Sequence, residues 1–240
     1  PGLGPFLAGI HYLSNVLTGI ILAIFTRPST QPVHNPWRQA VEADMHQAET
    51  GVALALWYRR LHEAGRTVLE QQETMPLALR PWIEELSESA LRAAGERLGI
   101  AGHVTWQRII QGVETLKKKA RACPQTFNYE DFAPENLALS RQATAPRQAI
   151  VYDYDCFTNG LTASDWRNVM YSLEGDARQA FAETYGPICE IERLLDAPLS
   201  AFYGLLIASR RKELPNWAKP LLESLAGGEL ERAVQDALAV

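Results

Sequence analysis

The sequence predicts an α+β fold that is mostly helical, with one small β-hairpin embedded near its middle. Three observations carry this. Apolar residues recur at helical spacing over long stretches both before and after that middle region. Two short apolar runs, residues 137–140 and 149–152, flank a polar stretch containing Pro146, the pattern of two strands joined by a turn. The composition, 47% hydrophobic and 21% charged, is that of a globular chain able to bury a sizeable core.

The elements follow in order. Residues 26–36 hold three prolines among polar residues and read as a loop or linker. A helix is expected over residues 37–64. Its stripe is Val41, Met45, Ala48 and Val52, continued by Leu54, Trp57 and Leu61, and Gly65 can end it. A second helical region spans residues 81–98, with Pro81 acceptable in a first turn. A third spans residues 104–122, where Ile109, Val113 and Leu116 share a face and Pro124 stops it. The hairpin follows. Ser164 then suits the cap of a helix opening at Asp165. Helical patterns run on to the C-terminus, punctuated by Pro187, Pro198, Pro215 and Gly227-Gly228.

The N-terminal stretch stands apart. Residues 6–25 are long and apolar enough to span a membrane, but His11, Ser14, Asn15 and Thr18 interrupt them and no basic cluster precedes them. A buried strand or helix is the favoured reading, with a membrane or targeting segment as the alternative. The expected division is therefore residues 1–36, a hydrophobic segment and linker, and residues 37–240, a helical domain. Because the chain opens on Pro1, sequence ahead of it is also allowed for.

The formal net charge of -5 gives no domain-wide basic field to hold nucleic acid. Lys117, Lys118, Lys119 and Arg121 are a local exception, and cations are favoured at the end of a helix. Cys123, Cys156 and Cys189 are widely spaced and odd in number, which fits reduced thiols in a cytoplasmic protein better than a zinc site. The six tryptophans are scattered, as expected of core and docking positions, although one or two could line a pocket for a cationic ligand.

The chemistry concentrates in residues 127–165. Asp131 and Asn136 are separated by four residues and precede the first strand of the hairpin; Asp153 and Asp155 follow the second. A hairpin entered beside one acid and left beside another brings the two together. Phosphoryl transfer uses such a pair: one carboxylate takes the proton of an acceptor hydroxyl, and another, with an amide oxygen, holds Mg2+ against phosphates. Oxygen donors of this kind suit Mg2+ better than softer metals.

The run Tyr129-Glu130-Asp131-Phe132-Ala133-Pro134-Glu135-Asn136-Leu137 resembles the catalytic loop of aminoglycoside phosphotransferases and choline kinases, usually His-Gly-Asp-x-x-x-x-Asn-Leu. Val151-Tyr152-Asp153-Tyr154-Asp155 resembles that family's metal-binding segment. Asp165 resembles its later, loop-supporting Asp, and Leu61-His62 resembles the Leu-His ending an early helix of its C-terminal lobe. The resemblance covers about residues 37–240. It implies a protein-kinase-like fold represented mainly by the C-lobe, with the N-lobe missing or strongly reduced. It also implies transfer of the γ-phosphoryl group of ATP or GTP to a hydroxyl of an aminoglycoside-, choline- or sugar-like molecule. Asp131 would be the base, and Asn136 and Asp153, assisted by Asp155, would hold Mg2+.

Two departures qualify this. Tyr129 and Glu130 replace the family's His and Gly, and a Glu beside the base can raise the pKa of Asp131 if the side chains are close. Further upstream, no Lys precedes Lys117, whereas a full kinase fold uses an N-lobe Lys on the nucleotide. A catalytically inactive kinase-like binding module is the alternative.

Overall fold

The computed structural model describes residues 36–71, 79, 81–141 and 147–240. The chain divides into the compact units Pro1–Trp37 and Arg38–Val240, and the described architecture is essentially that of the second. The expectations for residues 6–25, for nearly all of the 26–36 linker and for any N-lobe remnant lie outside the described residues. No helix among the described residues is long and apolar enough to cross a membrane.

Eight helices carry the described fold: α1 (Ala48–Gln71), α2 (Glu88–Leu98), α3 (Val104–Ala122), α4 (Thr162–Ser172), α5 (Gly175–Tyr185), α6 (Glu190–Ser209), α7 (Lys219–Gly227) and α8 (Glu229–Ala239). The strands are short: β1 (Trp37–Gln39), β2 (Thr126–Asn128), β3 (Leu137–Ser140), β4 (Ala149–Val151) and β5 (Thr158–Gly160). They form a three-stranded sheet in the order β1-β3-β4 and a separate antiparallel pair, β2 with β5.

The main core lies among α2, α3, α6 and α8. Leu91, Trp106, Ile109, Val113, Leu195, Leu199 and Phe202 are all fully buried there. The indole N–H of Trp106 donates to the Leu91 carbonyl, so even this large polar-tipped ring leaves no donor unpaired. Helix α1 packs instead against α5 and β2, and two glycines permit it. A side chain at Gly51 would meet the Ala177 carbonyl oxygen at 2.1 Å, and one at Gly65 would meet the Phe127 amide nitrogen at 2.2 Å.

The boundaries differ from expectation for reasons of packing. Residues 37–39 are extended because they join β3, and residues 42–46 form a 3-10 turn; the helix begins only at Ala48. Arg38 grips the buried Asp44 with two bonds of 2.6 Å, which ties the strand to the turn and holds the Asp44 carboxyl below its ordinary range. Gly65 does not end α1, which runs on to Gln71, because it is the position where β2 crosses closely. The second region splits into a 3-10 turn, Trp82–Glu85, and a helix whose N-terminal amide is capped by Ser87. Helix α4 opens at Thr162, three residues before Asp165, so Ser164 lies inside the first turn and is not its cap.

Candidate active site

Strand β2 delivers the chain into the loop 129–136, and β3 leads out of it. In the hairpin, Leu137 sits opposite Val151, and the Tyr152 amide donates to the Asn136 carbonyl at 3.0 Å. That register sets the residues just before β3 against those just after β4. Asp153 therefore leaves the hairpin beside the Asp131–Asn136 loop.

The electrostatics report the same grouping. The Asp131 carboxyl is pushed above its ordinary range by partial burial, then by the charge of Asp153, with Asp155 adding to it; a bond from the Asn136 amide pulls the other way. Asn136 Nδ2 lies 3.4 Å from Asp131 Oδ2 and donates to the Asp131 carbonyl at 3.3 Å. The structure thus brings Asp131, Asn136, Asp153 and Asp155 to one end of the hairpin, with the three carboxylates exposed. The condition under which Glu130 would raise Asp131 is not met: its carboxylate turns away to Trp82 and Asn168.

The loop rests on a buried network. Asp165, fully buried at the start of α4, accepts the Tyr129 amide at 2.9 Å and the Glu130 amide at 2.8 Å. Its Oδ2 also meets His62 Nε2 at 3.1 Å, and His62 Nδ1 meets the Tyr185 hydroxyl at 2.6 Å. Thr126 donates to the His62 carbonyl at 2.7 Å, so α1, β2, α4 and α5 converge beneath the loop. Tyr129, where the resembled family has His, is buried and donates its hydroxyl to the Tyr152 carbonyl at 2.5 Å. It thereby ties the loop to the hairpin, a structural part. Burial holds its hydroxyl well above the usual tyrosine range.

Beside the carboxylates lies a cavity of about 490 Å³, bordered by Trp82, Glu85, Glu130, Asp155, Arg167 and Tyr203. Trp82 and Tyr203 stand with ring centroids 5.0 Å apart. Arg167 is taken up by Asp196 at 2.7 Å, and Arg210 by Glu85 at 2.7 Å. The carboxylates dominate the potential: beyond burial, Asp131, Asp153, Asp155 and Glu130 all push the Cys156 thiol up. That disfavours thiolate chemistry at Cys156.

As to a metal, the donors present are hard oxygens, and the crowding of Asp131 by Asp153 and Asp155 is what a bound divalent cation would relieve. Among the described residues, however, no three His, Cys, Asp or Glu side chains are grouped to hold an ion by themselves. What Asn136, Asp153 and Asp155 offer is oxygen donors of the kind that Mg2+ takes together with water and phosphate oxygens.

Trp82, Asn168 and Tyr203 border this site without having been singled out as site residues by the sequence. Asn168 had a signal: it lies three residues after Asp165, on the same face of a helix. Trp82 and Tyr203 reach the site only through the packing of distant elements.

No protein-family model matches the chain, and no curated protein matches it. Among solved structures, it is similar to the crystal structure of aminoglycoside phosphotransferase from Alicyclobacillus acidocaldarius subsp. acidocaldarius DSM 446. That likeness has 14% identity and a TM-score of 0.49, covering 97% of this chain and 82% of that one.

Proposed function

We propose that the protein is a phosphotransferase that moves the γ-phosphoryl group of ATP or GTP to a hydroxyl of a small molecule, aminoglycoside-, choline- or sugar-like. The observation that carries this reading is the hairpin register, which sets Asp131 and Asn136 against Asp153 at one end of a short sheet. In this reading the acceptor lies in the adjoining cavity, where acids and aromatic faces favour a cationic alcohol.

Asp131 accepts the acceptor's hydroxyl proton as the oxygen bonds to the γ-phosphorus. The bond from that phosphorus to the bridging oxygen breaks, leaving a phosphate ester and a nucleoside diphosphate. Its raised pKa makes Asp131 a better proton acceptor than an ordinary carboxylate. Asn136, Asp153 and Asp155 would hold Mg2+, which supplies charge neutralisation on the phosphates when bound. Asp165 and His62 fix the loop, so most of the acceleration comes from positioning. Cytoplasmic residence belongs to the same proposal and is supported by three free thiols.

A second reading, an inactive binding module, is favoured by Tyr129 and Glu130 standing where the resembled family has His and Gly. Melting curves with ATP or GTP, with and without Mg2+, separate the two. A nucleotide site gives a Mg2+-dependent gain of about 2.7 kcal/mol at a hundredfold excess over the Kd. A shift followed by acceptor-dependent release of nucleoside diphosphate supports the enzyme. No shift on any chain containing this sequence sinks it.

A further inference from the structure

Glu130 has a φ of 63°, in the left-handed region where a side chain is disfavoured and glycine sits freely. Glycine is what the resembled loop carries at this place. A strained residue persists where its surroundings over-determine it, and the surroundings of Glu130 do. Its amide donates to Asp165 Oδ1 at 2.8 Å. Its Oε1 accepts the Trp82 indole N–H at 3.0 Å, and its Oε2 accepts from Asn168 Nδ2 at 3.2 Å. Asn168 Nδ2 lies 3.4 Å from the Glu130 carbonyl as well. Main chain and carboxylate are thus held from α4 and from the Trp82 turn together, one residue before Asp131.

We propose that Glu130 is a positioning residue: its carboxylate, gripped by Trp82 and Asn168, locks the left-handed turn that sets the direction of the neighbouring Asp131 side chain. A glycine there would leave the turn free to swing, and the direction of the Asp131 side chain with it. Because Trp82 and Glu130 also border the cavity, whatever occupies it meets the same grip that orients the base. The inference rests on Asp131 being the base, as proposed above.

The test compares wild type with Glu130→Gly and Glu130→Gln. Glycine fits the backbone, so Glu130→Gly should fold. Glutamine keeps an oxygen for Trp82 but turns a second donor towards Asn168, whose own Oδ1 already accepts from Arg167 at 2.7 Å. It should therefore restore only part of the grip. Two readouts are taken: hydrogen exchange of the backbone amides at positions 129 and 130, and steady-state kinetics. The expectation for Glu130→Gly is exchange at least about tenfold faster. Its kcat should be lower by roughly ten- to a hundredfold, with the KM for ATP unchanged and Glu130→Gln intermediate. Unchanged exchange in Glu130→Gly overturns the inference, as does faster exchange with wild-type kcat. Faster exchange in a protein whose wild type transfers no phosphoryl group to any acceptor overturns the phosphotransferase reading and leaves the grip standing.

Discussion

The helical core and the loop–hairpin end are built to opposite rules. In the core, Leu91, Trp106, Ile109, Val113 and Phe202 are wholly buried and chemically silent. At the hairpin end, Asp131, Asp153 and Asp155 stand exposed, and the charges of Asp153 and Asp155 raise the cost of ionising Asp131. Glu130 and Asp153 are the two non-glycine residues with left-handed backbone among the described residues, and both lie in this stretch. Strain and like charge are tolerated here because four elements brace the loop from beneath. A fold that gives up local stability at one place while optimising another makes the first the candidate for function.

The sharpest way to break the comparison is Asp131→Ala. On the proposed mechanism it should cost about 10²- to 10⁴-fold in turnover. The melting temperature should stay within a degree or two, since the side chain is exposed and crowded by like charge. Normal turnover would remove Asp131 from the chemistry. Phe202→Ala is the converse. It empties the core and should cost about 3–5 kcal/mol in a denaturant titration, while turnover measured well below the new melting point stays close to wild type.

Asp165→Ala sits between the two regions and should affect both. It leaves the amides of Tyr129 and Glu130, and Nε2 of His62, without their buried partner. Each orphaned group costs about 1–3 kcal/mol. Stability measured by denaturant and turnover of the surviving folded fraction should both fall. A loss of stability with full turnover would mean that the loop does not need its brace.

What the sequence revealed follows the same divide. The helix over residues 104–122 was legible because one apolar stripe and a following proline are local signals. The hairpin was legible because its two apolar runs are close in sequence, and with it the meeting of Asp131, Asn136 and Asp153. Strands β2 and β5 were not: Thr126, Asn128, Thr158 and Asn159 are polar yet buried, and nothing local announces that. Gly65 looked like a helix end, but its lack of a side chain serves the approach of β2. Trp82 reaches Glu130 from 48 residues away, a contact that only the packing of α2, α3 and α6 creates.

The smallest expected effect tests the hairpin end by pH. Burial, then the charge of Asp165, pushes the Glu130 carboxyl up to about 7, although Ser164 and Arg167 draw it down. Asp196 adds slightly to the upward push. Since the folded pKa lies above the unfolded one, the protein binds the Glu130 proton more tightly when folded. Stability from this source is complete below the ordinary carboxylate range and is lost as pH rises through about 7. Glu130→Gln has no proton to lose. The difference in melting temperature between wild type and Glu130→Gln should therefore move in favour of the variant as pH rises from about 4.5 to about 7, and level off above. Taking the difference cancels the shared titrating groups that lie away from Glu130. A difference independent of pH would mean that Trp82 and Asn168, by donating to the carboxylate, offset its burial, and that the grip on Glu130 works on the ionised side chain throughout.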